Sequence, residues 1–271
     1  MADEMANQQP GTPGIPGMSI VPPLQVQGTA MAPRTTPRWL QACSFLVHLY
    51  TASGTVLAFL IVLAAMRGNV LQALWLGLAA LFIDGTDGWL ARRFRVSETL
   101  PWFNGRRLDD IVDYLTYVFA PVLLLWTAGY LPAGPGGIVL AALPLLTSCY
   151  QFCRVDAKTE DYFFLGFPSY WNVVAFYTIV FKLAPITVGT ILLICSILVF
   201  VPIRYLYPSR TVAFRTLTLT LTALWMVMYA FILQQMPSPH PLLLNFSLFY
   251  LFYYVVLSLY LTYRAYHMKT R

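Results

Sequence analysis

Charged residues are scarce in this chain. Asp, Glu, Lys and Arg make up only 10% of its 271 residues, whereas 58% are hydrophobic and the mean hydropathy is +0.65. A soluble domain usually has about a quarter charged residues, so this composition excludes an ordinary soluble protein. The apolar runs are continuous rather than alternating. This pattern excludes a transmembrane β-barrel and predicts an all-α, polytopic integral membrane protein.

Residues that bind zinc or form disulfides are also few. The chain has four cysteines and three histidines, and none of them has the spacing of a zinc site. We interpret the cysteines as packing residues and predict no catalytic histidine; His48, in the first predicted helix, is interpreted as a satisfied polar contact. A soluble basic domain is lacking as well, which excludes nucleic acid as a partner.

Hydropathy predicts about eight transmembrane helices, which we divide into a six-helix catalytic core and two added helices. The predicted segments are 42–66, 68–91, 108–130, 136–153, 168–184, 186–205, 214–234 and 241–263. Two of these segments are short and meet at Pro185. Fusing them would place six basic residues from position 204 onward on the outer side, so we treat them as separate helices.

Residues 1–38 have a different composition. They contain seven of the nineteen prolines and no apolar run long enough for a signal peptide. We therefore predict a disordered tail at 1–38 and a single membrane domain at 39–271.

Basic residues are distributed unevenly along the predicted topology. If the N-terminus is cytoplasmic, fifteen of the seventeen Lys and Arg residues lie inside, and only Arg67 and Lys182 lie outside. This bias predicts that both termini and all eleven acidic residues face the cytoplasm. The net charge of +6 on that face predicts anionic lipid headgroups and anionic substrates as partners.

Four carboxylates stand out between the second and third predicted helices. Asp84 and Asp87 have i, i+3 spacing, and Asp109 and Asp113 have i, i+4 spacing, so each pair lies on one helix face. Carboxylates in a membrane helix need partners, and divalent metals such as Mg²⁺ or Mn²⁺ prefer oxygen ligands. The pattern predicts metal-assisted phosphate chemistry at a membrane face.

Two other interpretations of these acids remain open. The acids could pair with Arg92, Arg93, Arg106 and Arg107 in a solvated loop, an interpretation that we favour for Asp110 alone. They could also belong to a divalent-cation transporter, because intramembrane acids often mark ion pathways. Against a transporter, the predicted outer half contains no acid that would continue a path, and no internal repeat with paired broken helices is visible.

The acidic segment follows the pattern D-x2-D-G-x2-A-R-x12-G-x3-D-x3-D over residues 84–113. This pattern resembles the signature of the CDP-alcohol phosphatidyltransferases, in which the usual spacer between Arg and Gly has eight residues. The longer spacer, together with DAKTEDYFFLGFPSYWN at 156–172 and RYLYPSR at 204–210, is similar to the bacterial phosphatidylcholine synthase branch. The resemblance covers most of residues 40–265.

The resemblance implies a role for each signature residue. Asp84, Asp87 and Asp109 would hold two divalent cations, Mn²⁺ or Mg²⁺, that bridge the diphosphate of CDP-diacylglycerol. Asp113 would complete the metal site and act as the general base that activates choline. The residues implied in nucleotide binding are Gly88, Ala91, Arg92 and Gly105. Trp102 and Phe103, within the spacer, are candidates to cover the site.

The acceptor site is predicted from the chemistry of choline. Its quaternary ammonium donates no N–H hydrogen bond, and proteins usually hold it against aromatic faces. The choline-binding candidates are Tyr114, Tyr150 and Trp171, with Glu160 or Asp156 as the counter-charge, and the lipid-phosphate candidates are Arg204 and Arg210. For any single aromatic residue, packing or an interfacial belt is the favoured explanation, but the aromatic group as a whole, which also includes Tyr117, Phe152 and Tyr170, favours a choline site. Headgroup anchoring explains each of the two arginines equally well.

The resemblance leaves the acceptor open to one alternative, because related enzymes use serine or another small alcohol. Aromatic residues outnumber cationic ones near the third to fifth predicted helices, which favours choline. Similar proteins form homodimers in the bacterial inner membrane, and the resemblance implies the same location and a homodimer here.

Overall fold

A computed structural model describes residues 37–269, and nearly all of the predicted tail at 1–38 lies outside the described residues. The described chain is mainly helical, and its two strands have only three residues each, which confirms the all-α class. The helices are α1 Arg38–Met66, α2 Val70–Arg93, α3 Val96–Thr99, α4 Gly105–Asp113, α5 Ala120–Thr127, α6 Pro135–Cys153, α7 Trp171–Val180, α8 Pro185–Leu198, α9 Arg215–Gln234 and α10 Pro241–Lys269. A π-helical segment, Tyr114–Phe119, joins α4 to α5 without a break.

Between residues 37 and 269, five helices are long and apolar enough to cross a membrane, which supports a multi-pass membrane protein. They are α1, α2, α6, α9 and α10. The third predicted segment corresponds to α4, the π-helical segment and α5 taken together. The fifth and sixth correspond to α7 and α8, which have 10 and 14 residues and are each shorter than a full span.

The sixth predicted helix extends too far. It was predicted to reach residue 205, but α8 ends at Leu198 and residues Arg204–Leu206 form a β-strand. Pro202 explains the difference, because proline cannot donate the next helical hydrogen bond and disfavours helical geometry in the preceding residue. The fifth helix is likewise confined to Trp171–Val180, between Ser169 and Lys182, both of which have positive φ.

Packing of α1 against α2 and α4 brings the acidic segments together. Gly54 of α1 lies directly against the Val112 side chain of α4, and a β-carbon at this glycine would lie 2.5 Å from Val112 Cγ1. The close approach therefore requires a residue without a side chain. Further along α1, Ala58 and Ile61 belong to an apolar core that α1 shares with α5, α7 and α9. This core fixes the position of the acidic ends of α2 and α4.

The connection between α6 and α7, residues 154–170, is called the strap here. It contains strand β1, Phe163–Leu165, which pairs antiparallel with β2, Arg204–Leu206, in the register Phe163↔Leu206. Polar side chains of α10 satisfy the other edge of β2. Thr262 and Ser258 accept hydrogen bonds from the β2 backbone, and Tyr254 donates one to the Leu206 carbonyl at 2.9 Å. The strap is thus held to the last helix.

Candidate metal and substrate site

Helices α2 and α4 bring three of the four signature acids into one group. One carboxylate oxygen from each of Asp84, Asp109 and Asp113 lies within 4.8 Å of the others. These three residues are called the acid triad. Three carboxylates this close repel one another unless a cation lies between them, so the triad forms a site that can hold a divalent metal ion.

Asp87 lies outside the triad but beside it. It is buried, with 6% of its surface exposed, and its Oδ2 accepts a hydrogen bond of 2.8 Å from Thr51 of α1. Asp84 has a comparable partner, because the Tyr117 hydroxyl donates to its Oδ2 at 2.5 Å. The sequence did not predict Thr51 or Tyr117 as a hydrogen-bonding partner of these acids. Hydrogen bonds from such partners orient carboxylates for metal binding.

The solvated-loop interpretation does not fit the triad or Asp87. Within residues 37–267, no ion pair joins these acids to any arginine, and Asp110 pairs with Lys158 of the strap at 3.2 Å. The interpretation of Asp110 as a paired charge is therefore supported, but its partner is a lysine. Carboxylates crowded together without an ion pair to an arginine are better explained by a metal site than by a surface loop.

The acids open onto a cavity of about 1220 Å³. All four predicted nucleotide residues line it, as does Arg210. Helices α1, α2, α4, α9 and α10 and the strap all contribute to the wall. The predicted cover residue Phe103 also lines the cavity, whereas Trp102 is 73% exposed and packs edge-on against Phe103 outside the lining.

The three predicted choline residues do not line this cavity. Trp171 is fully buried in the core, where its indole donates to Ser148 Oγ at 2.8 Å. The Tyr114 hydroxyl is engaged with a backbone carbonyl of α6, and Tyr150 packs against Phe200 with ring centroids 5.0 Å apart. Choline binding by these three residues stays a prediction; in this geometry each side chain contacts neighbouring protein groups outside the cavity lining.

A different set of aromatic side chains faces the acids. Tyr117, Phe164, Tyr170, Tyr207 and Tyr254 line the cavity and are called the aromatic wall. Tyr170 lies at its centre, with its ring centroid 6.0 Å from those of both Tyr117 and Tyr254. Phe164 of β1 stacks on Tyr207 at 4.5 Å. The wall therefore combines residues from four separate parts of the sequence.

The two predicted lipid-phosphate arginines differ in position. Arg204 pairs with Asp161 at 2.7 Å and its guanidinium lies over the Phe163 ring, so it holds the strap and does not line the cavity. Arg210 does line the cavity, with its guanidinium 5.8 Å from the centre of the Tyr162 ring. Only Arg210 is placed where it can contact a ligand.

Neighbouring groups shift the pKa values of two charged residues of the strap. Burial tends to lower the pKa of the Lys158 amine, but Asp110, Tyr207 and Asp109 outweigh it and the net shift is upward. Lys158 therefore stays cationic beside the acids. Hydrogen bonds from Arg154 lower the pKa of the exposed Asp156 carboxyl, which is thereby already paired. Of the two predicted counter-charges, only Glu160 lines the cavity.

Comparison with known proteins identifies the family. No protein-family model matches the chain. Phosphatidylcholine synthase of Borreliella burgdorferi is 35% identical over 224 residues, which cover 82% of this chain and 95% of that protein. The synthase of Legionella pneumophila is 38% identical over 81% of this chain and 89% of its own length, and that of Pseudomonas aeruginosa is 41% identical over 73% and 83%. Since several relatives of one kind match across most of both chains, this chain belongs to the phosphatidylcholine synthase family.

Proposed function

We propose that this protein transfers the phosphatidyl group from CDP-diacylglycerol to choline, giving phosphatidylcholine and CMP. The observation that carries the proposal is the acid triad, which opens onto a cavity with an aromatic wall on one side and the predicted nucleotide residues on the other. The name shared by the relatives supports the same reaction. The protein would be a membrane-bound transferase of phospholipid biosynthesis.

The donor set fits hard divalent cations. Asp84, Asp87, Asp109 and Asp113 offer only oxygen ligands, and no cysteine lines the described cavity. We propose that these four acids hold two ions, Mg²⁺ or Mn²⁺. When bound, such ions would neutralise the diphosphate and stabilise the phosphate group that departs as CMP.

Asp113 is proposed as the general base. The choline hydroxyl is a weak nucleophile, and it must lose its proton as its oxygen attacks the phosphorus that carries the diacylglycerol. Asp113 takes this proton, the new oxygen–phosphorus bond forms, and the bond between that phosphorus and the bridging oxygen of CMP breaks. The position of Asp113 within the triad supports this role, because the proposed proton acceptor would then lie next to the proposed diphosphate site.

The nucleotide would lie along the last turns of α2 and the first turn of α4. Gly88, Ala91, Arg92 and Gly105 all line the cavity there. A β-carbon at Gly88 would lie 3.4 Å from the Arg92 guanidinium, so glycine leaves space between α2 and a ligand. The guanidinium supplies a cation beside the acids for the nucleotide phosphate.

Choline would bind against the aromatic wall. Tyr117, Tyr170, Tyr207 and Tyr254 line the cavity together with the acids, and the Tyr117 hydroxyl contacts Asp84 directly. A quaternary ammonium is held by aromatic faces of this kind. Glu160 is the proposed counter-charge. This wall replaces the predicted set of Tyr114, Tyr150 and Trp171.

The lipid and its membrane complete the proposal. Arg210 would contact a lipid phosphate from the cavity rim. The positive-inside bias supports a bacterial cytoplasmic membrane with both termini and the site on the cytoplasmic side. Assembly as a homodimer, which the resemblance implies, is part of the same proposal.

The test is release of CMP by the purified protein in lipid or detergent with CDP-diacylglycerol and Mn²⁺ or Mg²⁺. Choline, serine, inositol and glycerol 3-phosphate are offered in turn. We expect release with choline alone. We also expect its loss in Asp113→Asn and its retention in Asp156→Asn, a control at an exposed acid of the strap. Release with serine would keep the transfer and refute the choline site.

The transporter alternative has its own measurement. Reconstituted vesicles that take up Mn²⁺ through the protein, without CMP release for any alcohol, would refute the transferase and favour a cation path. Metal-dependent CMP release without uptake would refute the transporter.

A further inference from the structure

A histidine of α1 has an unusual environment at the edge of the cavity. His48 lines the cavity and is 8% exposed, and its Nε2 is buried without a hydrogen-bonding partner among residues 37–267. Buried polar groups in folded proteins nearly always have a partner. The sequence predicted a satisfied polar contact here, and the structure corrects that prediction. An unpartnered ring nitrogen in a cavity wall points to a ligand.

The imidazole is held in place from two sides. Its ring centroid lies 4.2 Å from that of Phe103, which belongs to the long spacer of the signature and also lines the cavity. On the other side, the space that a side chain would occupy at Gly105 is filled by the imidazole, since a β-carbon there would lie 2.7 Å from His48 Cε1. Glycine at this position is therefore required for the histidine to reach the cavity.

His48 and its neighbour Gly105 each lie about one helical turn from a residue of the acid site. Thr51, one turn further along α1, donates to Asp87, and Gly105 precedes Asp109 by one turn of α4. One turn corresponds to about 5.4 Å along the helix axis. A nucleoside attached to a diphosphate at the acids is within reach of His48 and Phe103.

The hydrogen-bonding groups of the substrates indicate which part of them His48 binds. The one donor of choline is the hydroxyl that must react at the acids, and acyl chains neither donate nor accept, so neither supplies a partner for a ring nitrogen away from the acids. A cytosine base offers both donors and acceptors on its edge and a flat face for an aromatic partner, and enzymes commonly read bases with this combination. Resting on the proposed function, we infer that His48 and Phe103 form the binding site for the cytosine base, with His48 hydrogen-bonded to its edge.

The test is calorimetric titration of the full-length protein in detergent, with Mn²⁺ present, using two probes. CMP carries the base, whereas ribose 5-phosphate carries the sugar and phosphate without it. For His48→Ala we expect about tenfold weaker binding of CMP, as for the loss of one buried hydrogen bond, and unchanged binding of ribose 5-phosphate. His240→Ala, an exposed histidine outside the cavity lining, is the matched control and should bind CMP like the unaltered protein.

Equal weakening for both probes, or unchanged CMP binding by a folded His48→Ala, would overturn the inference. If that variant does not fold, Phe103→Leu removes the ring partner and leaves the histidine; it should weaken CMP binding several-fold, and no change would refute the base site. Titration requires no turnover. A protein that binds CMP through His48 but releases none with choline would refute the proposed transfer and keep the base site.

Discussion

The hydrogen bond from Thr51 to Asp87 gives a quantitative test of whether Asp87 belongs to the metal site. Thr51→Val keeps the shape of the side chain and removes the hydroxyl that donates to Asp87 Oδ2 at 2.8 Å. A hydrogen bond to a charged group contributes about 1.5–3 kcal/mol, and each 1.4 kcal/mol is a factor of ten in affinity. If the loss falls on the metal-bound state, metal affinity should drop about 10- to 100-fold, as is usual when a ligand's orienting partner is removed.

The assay is CMP release at a series of Mn²⁺ concentrations with saturating choline. Thr51→Val should shift the half-maximal Mn²⁺ concentration upward by that factor and recover most of its activity at high Mn²⁺. Thr55→Val is the matched control, because the Thr55 hydroxyl bonds only to the Ala52 carbonyl of the same helix, at 2.7 Å. An unchanged Mn²⁺ dependence in Thr51→Val, with the protein folded, would refute the assignment of Asp87 to the metal site.

Four further outcomes are expected. Tyr207→Leu should raise the choline KM several-fold, because it removes an aromatic face worth about 0.5–2 kcal/mol, whereas Tyr207→Phe should stay within about twofold; equal effects would refute a cation–π role. Chelation by EDTA should abolish CMP release and added Mn²⁺ should restore it; activity that survives EDTA would refute the metal site. Gly54→Ala should lower the melting temperature in detergent, since overpacking against Val112 costs about 1–3 kcal/mol, and an unchanged value would contradict the close packing. Ser258→Ala should increase proteolysis of the strap, because it removes the partner of the β2 backbone at Leu206; cleavage as slow as in the unaltered protein would show that the strap is held by other contacts.

The acids could be predicted from the sequence because a carboxylate in an apolar segment has few explanations. Helical spacing placed Asp109 and Asp113 on one face, and the structure brings both beside Asp84. The partners Thr51 and Tyr117 were missed for the opposite reason. Threonine and tyrosine are common in membrane helices, and only the packing of α1 and the π-helical segment against α2 shows that their hydroxyls face acids.

The sequence alone could not single out the aromatic side chains that line the cavity, because the chain is rich in aromatics. With 15% Phe, Trp and Tyr, nearly every helix end offers a candidate. The sequence does not show which face of a helix lines a cavity and which packs on a neighbour. Trp171 and Tyr170 illustrate this limit: they are adjacent, yet one is buried against Ser148 and the other lines the cavity.

Hydropathy predicted the ends of the long helices well, but it misplaced the ends of the short helices α7 and α8. The ends of α1, α2 and α9 agree with the prediction to within a few residues. The strands β1 and β2 went unrecognised because each has three residues and is stabilised by distant contacts, including those to Ser258 and Thr262. The local sequence around each strand does not indicate such distant hydrogen-bonding partners.

The last helix has a consequence for how the protein is made. All four signature acids have been synthesised once the chain reaches residue 113, but Tyr254 of the aromatic wall and the side chains that hold β2 belong to α10. A nascent chain therefore contains its charged residues in the membrane well before the cavity around them can close. Until α10 inserts, the acids face an incomplete compartment, and a chain truncated before residue 241 would keep every predicted metal ligand without the structure that turns them into an enzyme.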